Sequence, residues 1–105
     1  LHTYVPNSLK VEKLNDPIKL KEVCLKACKI ENLQVLNNYT HQFHPQGVTC
    51  NVTLAESHLC LHTWPEKGCV AFDIFTCGNK NPRMVAWWIL EHFDTEDYVM
   101  KDINR

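Results

Sequence analysis

The run Cys69-Val70-Ala71-Phe72-Asp73-Ile74-Phe75-Thr76-Cys77 sets Val70, Phe72 and Ile74 against Cys69, Ala71 and Asp73. A period of two puts the large apolar side chains on one face of an extended segment, so the stretch predicts a strand with one buried face. Outward from it, Gln34 to Phe43, Val48 to Ala55 and Leu59 to Trp64 have the same character between turn residues, and Leu1 to Val5 and Tyr98 to Ile103 are outer-strand candidates. Two segments read differently. Asp16-Pro17 is an N-cap followed by proline at the first helical position, and Leu20, Val23, Cys24 and Ala27 then recur at helical spacing to a predicted end near Asn32. A second helix is predicted from Asn81-Pro82 to Phe93, with Met84, Val85, Trp87, Trp88, Ile89 and Leu90 as a broad buried face and both tryptophans in the core. The order strand, helix, several strands, helix, strand predicts an α+β fold. It is a two-layer sandwich, with a mostly antiparallel sheet and two main helices on one face. The other face then needs cover, and a second copy of the chain is the simplest, which predicts a homodimer.

With 105 residues and no linker, repeat or charge block, the sequence reads as one domain over residues 1–105. Eleven basic against twelve acidic side chains leave a net charge of -1, without the basic footprint that nucleic-acid binding requires. The apolar runs fall short of the ~20 residues that span a bilayer, and no charged-then-apolar segment opens the chain, so no membrane association is expected. Six cysteines (Cys24, Cys28, Cys50, Cys60, Cys69, Cys77) and two sequons, Asn38-Tyr39-Thr40 and Asn51-Val52-Thr53, are compatible with a secreted protein. The periodic apolar pattern builds a core without staples, however, and the expectation is reduced, mostly buried thiols in a cytoplasmic protein.

Chemistry concentrates in Glu56-Ser57-His58-Leu59-Cys60-Leu61-His62-Thr63-Trp64-Pro65, closed by Glu66, where a carboxylate, a serine hydroxyl and two imidazoles lie within reach of one another in sequence. A serine hydroxyl needs a base or a strained backbone to act as a nucleophile near neutral pH. A Ser-His hydrolase lacks support, because no Gly-x-Ser-x-Gly elbow surrounds Ser57 and no third residue is in place to orient a histidine. His58, Cys60 and His62 alternate along one strand face, with His41 and His44 upstream, but the spacing matches no compact zinc signature and no metal is expected.

The run Ala55-Glu56-Ser57-His58-Leu59, then His62-Thr63-Trp64-Pro65-Glu66 and Phe75-Thr76-Cys77-Gly78, closely resembles the bacterial and archaeal S-adenosylmethionine decarboxylase proenzymes. His41-Gln42-Phe43-His44-Pro45-Gln46-Gly47-Val48 fits the same family, and Leu14-Asn15-Asp16-Pro17 adds a weaker match. The resemblance implies a self-processing, pyruvoyl-dependent enzyme. Ser57 would attack the carbonyl of Glu56 to form an ester. Loss of the serine α-proton would then expel the carboxylate of Glu56, and hydrolysis would leave a pyruvoyl group on residue 57, giving chains 1–56 and 57–105. By the same resemblance His62 accepts a proton during processing and the Thr49 hydroxyl assists. Cys77 protonates the product carbon, Phe43 stacks on adenine, and Glu66 binds the ribose hydroxyls. The pyruvoyl ketone is an electron sink that forms a Schiff base with the substrate amine, so no pyridoxal phosphate is needed.

The implied reaction is decarboxylation of S-adenosylmethionine to the aminopropyl donor for spermidine and polyamine biosynthesis. The alternatives are an ornithine or arginine decarboxylase with the same cofactor, and an unprocessed homologue that binds a nucleoside or a protein without catalysis. Thr49 stands where the family commonly has serine, and Cys50 where it has glycine, which motivates the unprocessed alternative. Ser57 and His62 are five residues apart, so a regular strand would point them to opposite faces. Something must bend between them, which predicts an irregular backbone or bulge near His58 to Leu61, or displacement of the new terminus after cleavage. A regular strand over 57–62 with the two side chains diverging counts against the site.

Overall fold

Asp16 accepts a hydrogen bond from the Lys19 N–H at 3.1 Å and Pro17 occupies the first turn, so helix α2 (Pro17–Ile30) starts where its cap residues dictate. Asn81 does the same for α3 (Pro82–Phe93), accepting from the Arg83 N–H at 3.0 Å. The computed structural model describes residues 1–6, 8–77 and 80–102. Within them the strands are β1 (His2–Val5), β2 (Val35–Gln42), β3 (Val48–Leu54), β4 (Ser57–Trp64), β5 (Cys69–Phe75) and β6 (Val99–Lys101). A four-residue helix, α1 (Val11–Leu14), precedes α2, and a 3-10 turn, Pro65–Lys67, follows β4. The sheet order is β2-β3-β4-β5-β1-β6, and the described strand pairs are all antiparallel. The predicted last strand runs to Ile103, which lies outside the described residues, as does Gly78 of the quoted Phe75-Thr76-Cys77-Gly78 motif.

One sheet face presents Val5, Val48, Val52, Leu54, Leu59, Leu61, Phe72 and Ile74 to Leu20, Ala27, Val85, Ala86, Ile89 and Phe93 of the helices, all buried. This is the two-layer α+β sandwich expected from the strand alternation. The tryptophans depart from expectation: Trp87 is 46% and Trp88 38% exposed. On α3 the 3–4 spacing of residues 85, 86, 89, 90 and 93 fills the sheet-facing stripe, leaving 87 and 88 on the outside. Trp88 Nε1 there donates to Glu31 Oε2 at 3.3 Å. No helix among the described residues is long and apolar enough to cross a membrane.

Cys24 and Cys28, one turn apart on α2, meet Cys50 of β3 in this core, all three fully buried and free. Cys50 thus occupies ordinary sheet backbone with its thiol between strand and helix, accepting from Thr40 Oγ1 at 3.5 Å. Hydrogen bonding from Cys24 lowers the Cys50 thiol to about 7 against the opposing effect of burial. Burial pushes the Cys28 thiol up to about 11. A thiol whose folded value exceeds its unfolded value stays protonated while the unfolded chain ionises, so its contribution is intact below pH ~9 and is lost as pH rises towards ~11. We expect stability to fall over that window by up to about 1.4 kcal/mol per pH unit from this group. Chemical denaturation at stepped pH should show a shallower slope for Cys28→Ala; equal slopes would exclude this origin.

Candidate active site

Strands β3 and β4 are joined by the two-residue turn Ala55-Glu56, with Leu54 paired to Ser57. Glu56 adopts φ 63°, a left-handed conformation that costs a residue with a Cβ about 1–2 kcal/mol. The strained residue immediately precedes Ser57, and its carbonyl belongs to the peptide bond that the resemblance marks for cleavage.

From Ser57 onward β4 is regular. It pairs without a register shift from Ser57 to His62 with β3 and from His58 to Trp64 with β5. The expected bulge at 58–61 is therefore absent, because continuous ladders on both sides satisfy every backbone group that a bulge would leave unpaired. Ser57 shares its face with Leu59, Leu61 and Thr63, whereas His62 lies on the other face with His58, Cys60 and Trp64. Five residues of extended chain also separate them by about 16 Å. A single chain of this conformation does not bring Ser57 and His62 together.

At the far end of β4 a cleft of about 270 Å³ collects Phe43, Thr49, His62 and Glu66, four of the seven residues singled out in the sequence. Thr49 and His62 are direct cross-strand partners, and Thr49 Oγ1 lies 2.9 Å from His62 Nδ1. Phe43 is 48% exposed and meets His41 edge-on at 4.6 Å between ring centroids. The β2–β3 connection turns back on itself through the Phe43 N–H bonded to Gly47 O at 2.8 Å. Gly47 adopts φ 112°, a conformation that side chains resist, and a Cβ there would sit 3.4 Å from Thr63 O.

Four further residues line the cleft, Gln46, Gly47, Thr63 and Trp64, all within the quoted motifs and none with a role implied there. Gln46 Nε2 donates to Glu66 Oε2 at 3.3 Å, and the Trp64 ring lies 6.2 Å from that of His62. The signal for Trp64 in the sequence was its alternation with His62, which puts both on one strand face. The remaining three, Glu56, Ser57 and exposed Cys77, lie at the opposite end of the sheet. Cys77 follows Phe75, whose partner on β4 is His58, beside the hairpin turn. The seven residues thus form two half-sites at opposite ends of one strand. Among the described residues, no three His, Cys, Asp or Glu side chains converge as metal ligands.

The S-adenosylmethionine decarboxylase family profile matches residues 6–105. The S-adenosylmethionine decarboxylase proenzyme of Pyrococcus furiosus is 41% identical over 95 residues, covering 90% of this chain and 68% of that protein. The proenzyme of Prochlorococcus marinus (strain MIT 9211) is 39% identical over 94 residues, covering 89% and 77%. The crystal structure of the adenosylmethionine decarboxylase from Aquifex aeolicus VF5 matches with a TM-score of 0.82 at 25% identity, covering 99% of this chain and 93% of that one. Against the Thermococcus kodakarensis relative the chain spans 66% of the length, so it matches about two thirds of such archaeal proteins.

Proposed function

Because the chain belongs to the S-adenosylmethionine decarboxylase family, we propose that it is a self-cleaving proenzyme that decarboxylates S-adenosylmethionine to the aminopropyl donor for polyamine synthesis. The observation that carries this reading is the convergence of Phe43, Thr49, His62 and Glu66 in one cleft, from segments up to 23 residues apart. An aromatic face suits adenine, and a carboxylate accepts from paired ribose hydroxyls; Gln46 steadies that carboxylate. These contacts favour a nucleoside-bearing substrate over ornithine or arginine.

The residues around Ser57 fit a pyruvoyl group. Ser57 heads β4 directly behind strained Glu56, so attack of its hydroxyl on the Glu56 carbonyl exchanges a strained amide for an ester. Removal of the Ser57 α-proton then releases the Glu56 carboxylate, and water replaces the nitrogen, which leaves as ammonia. His62 is suited to take that proton: when Thr49 accepts from Nδ1–H, the lone pair of Nε2 is free to act as base. Once formed, the group supplies a ketone beside an amide, able to accept the electrons freed by loss of carbon dioxide. Cys77 returns a proton to the product in this reading, which its free, exposed thiol supports.

Two copies complete the site. The helix-free face carries Tyr39, His41, Thr49, Cys60, His62 and Trp64. A second sheet packed against it in a two-fold arrangement would set the turn end of β4 in one protomer, with the Glu56–Ser57 peptide and Cys77, over the Phe43–His62–Glu66 end of the other, twice per dimer. The Ser57 side chain itself lies toward the helix side of that strand, so the partner meets the turn through its main chain. Free thiols suit a cytoplasmic enzyme. The test is intact mass with parallel assays of carbon dioxide release. We expect two chains, the second lighter by one ammonia than a serine-initiated fragment, with release from S-adenosylmethionine and not from ornithine or arginine. A persistent single chain that binds adenosine without releasing carbon dioxide would instead establish the binding module.

A further inference from the structure

The loop that carries Phe43 is held from outside the cleft, at the corner between α1 and α2. Asn15 Oδ1 accepts from the Gly47 N–H at 2.9 Å, the donor of the one residue in that loop with φ near 112°. Gln42 Nε2 donates to the Asn15 backbone oxygen at 3.2 Å and lies 3.4 Å from its Oδ1, so both ends of the loop, Gln42 and Gly47, converge on one asparagine. The corner itself is anchored. Buried Thr63 donates from Oγ1 to Leu14 O at 2.7 Å and accepts from the Val48 N–H at 2.9 Å, tying the residue before Asn15 to β3 and β4. The Asn15 N–H is used within α1, donating to Val11 O at 3.1 Å. Its side-chain oxygen is thereby fixed in direction.

We propose that Asn15 is a positioning residue for nucleoside recognition: by clamping Gly47 and Gln42 it sets the aim of Phe43 and the reach of Gln46 to Glu66. This rests on the reading of the cleft as the nucleoside half-site. Asn15 is not among the residues that line the cleft, and it lies away from Ser57, so its loss weakens binding of the adenosine moiety and spares self-cleavage. A residue serving only stability would lower the melting temperature and the yield of cleaved protein without separating KM from kcat.

The test uses the processed enzyme with S-adenosylmethionine as substrate and 5′-methylthioadenosine, which lacks the amino-acid half, as a competing probe. Asn15→Ala should cleave fully, keep kcat within about twofold, and raise both KM and the inhibition constant of the probe by about fivefold to tenfold, the loss of one part-buried hydrogen bond. Asn15→Asp keeps an oxygen for the Gly47 N–H and should restore both constants to within about twofold of wild type. Should Asn15→Ala not fold, exposed Gln42→Ala removes the other half of the clamp and should raise both constants by about twofold to threefold. A wild-type enzyme that ignores the probe would overturn the nucleoside reading of the cleft. A wild-type enzyme that binds it, with Asn15→Ala binding equally well or Asn15→Asp failing to rescue, would overturn the role of Asn15 alone.

Discussion

Ser57→Ala leaves the chain as a single 12.2 kDa species and abolishes decarboxylation. Alanine has no atom to attack the Glu56 carbonyl, so no ester forms, the peptide bond survives and the electron-accepting group is never made. The expected loss is the whole chemical acceleration, about 10⁶-fold or more, because no other group in the cleft can take up the electrons released with carbon dioxide. The fold should be unaffected: Ser57 is half-buried at the head of β4, and none of the described side-chain hydrogen bonds uses its hydroxyl. Denaturing electrophoresis, intact mass and a carbon dioxide assay read all three consequences. Cleavage at 56–57 in this variant, by whatever route, would remove Ser57 as the nucleophile and with it the pyruvoyl assignment.

The parts legible in the sequence were those fixed by near neighbours. Asp16-Pro17 and Asn81-Pro82 act within three residues, and both helices begin there. The alternation of Val70, Phe72 and Ile74 marks one face of β5 whatever its partners. Phe43, Thr49, His62 and Glu66 converge in one cleft because β2–β3 and β3–β4 are simple antiparallel neighbours, so motif order maps directly onto sheet position. What escaped depends on distance or azimuth. α1 has four residues and no side-chain cap, too little for a periodic signal, yet its end carries Asn15, which meets Gly47 across 32 residues. Trp87 and Trp88 contribute apolar character to α3, but composition does not say which 100° of the helix meets the sheet. The bulge expected in β4 came from the five-residue spacing of Ser57 and His62, which a regular strand turns to opposite faces. The ladder energetics on both flanks of β4 keep the strand regular, and the side chains diverge.

That divergence makes complementation the sharpest test of the two-copy site. In a homodimer of His62→Ala every site lacks its base, and in a homodimer of Ser57→Ala every site lacks its nucleophile. Neither chain should be processed efficiently alone. Co-expressed, the two form heterodimers in which one interface joins Ser57 of the His62→Ala chain with Thr49 and His62 of the Ser57→Ala chain, a complete set. The other interface lacks both residues. Mass spectrometry should therefore find the His62→Ala chain cut at 56–57 only in the mixture, in up to about half of its copies for random pairing of equal amounts. The Ser57→Ala chain should stay intact throughout. Decarboxylase activity should appear in the mixture alone, at about a quarter of the wild-type level per chain, since half of the dimers hold one good site of two. Single-chain chemistry predicts the opposite: no variant rescues another, because each polypeptide would have to supply both residues across the roughly 16 Å that β4 keeps between them. Heterodimers isolated by two affinity tags and still uncut would disprove the shared site and require β4 to unwind before cleavage.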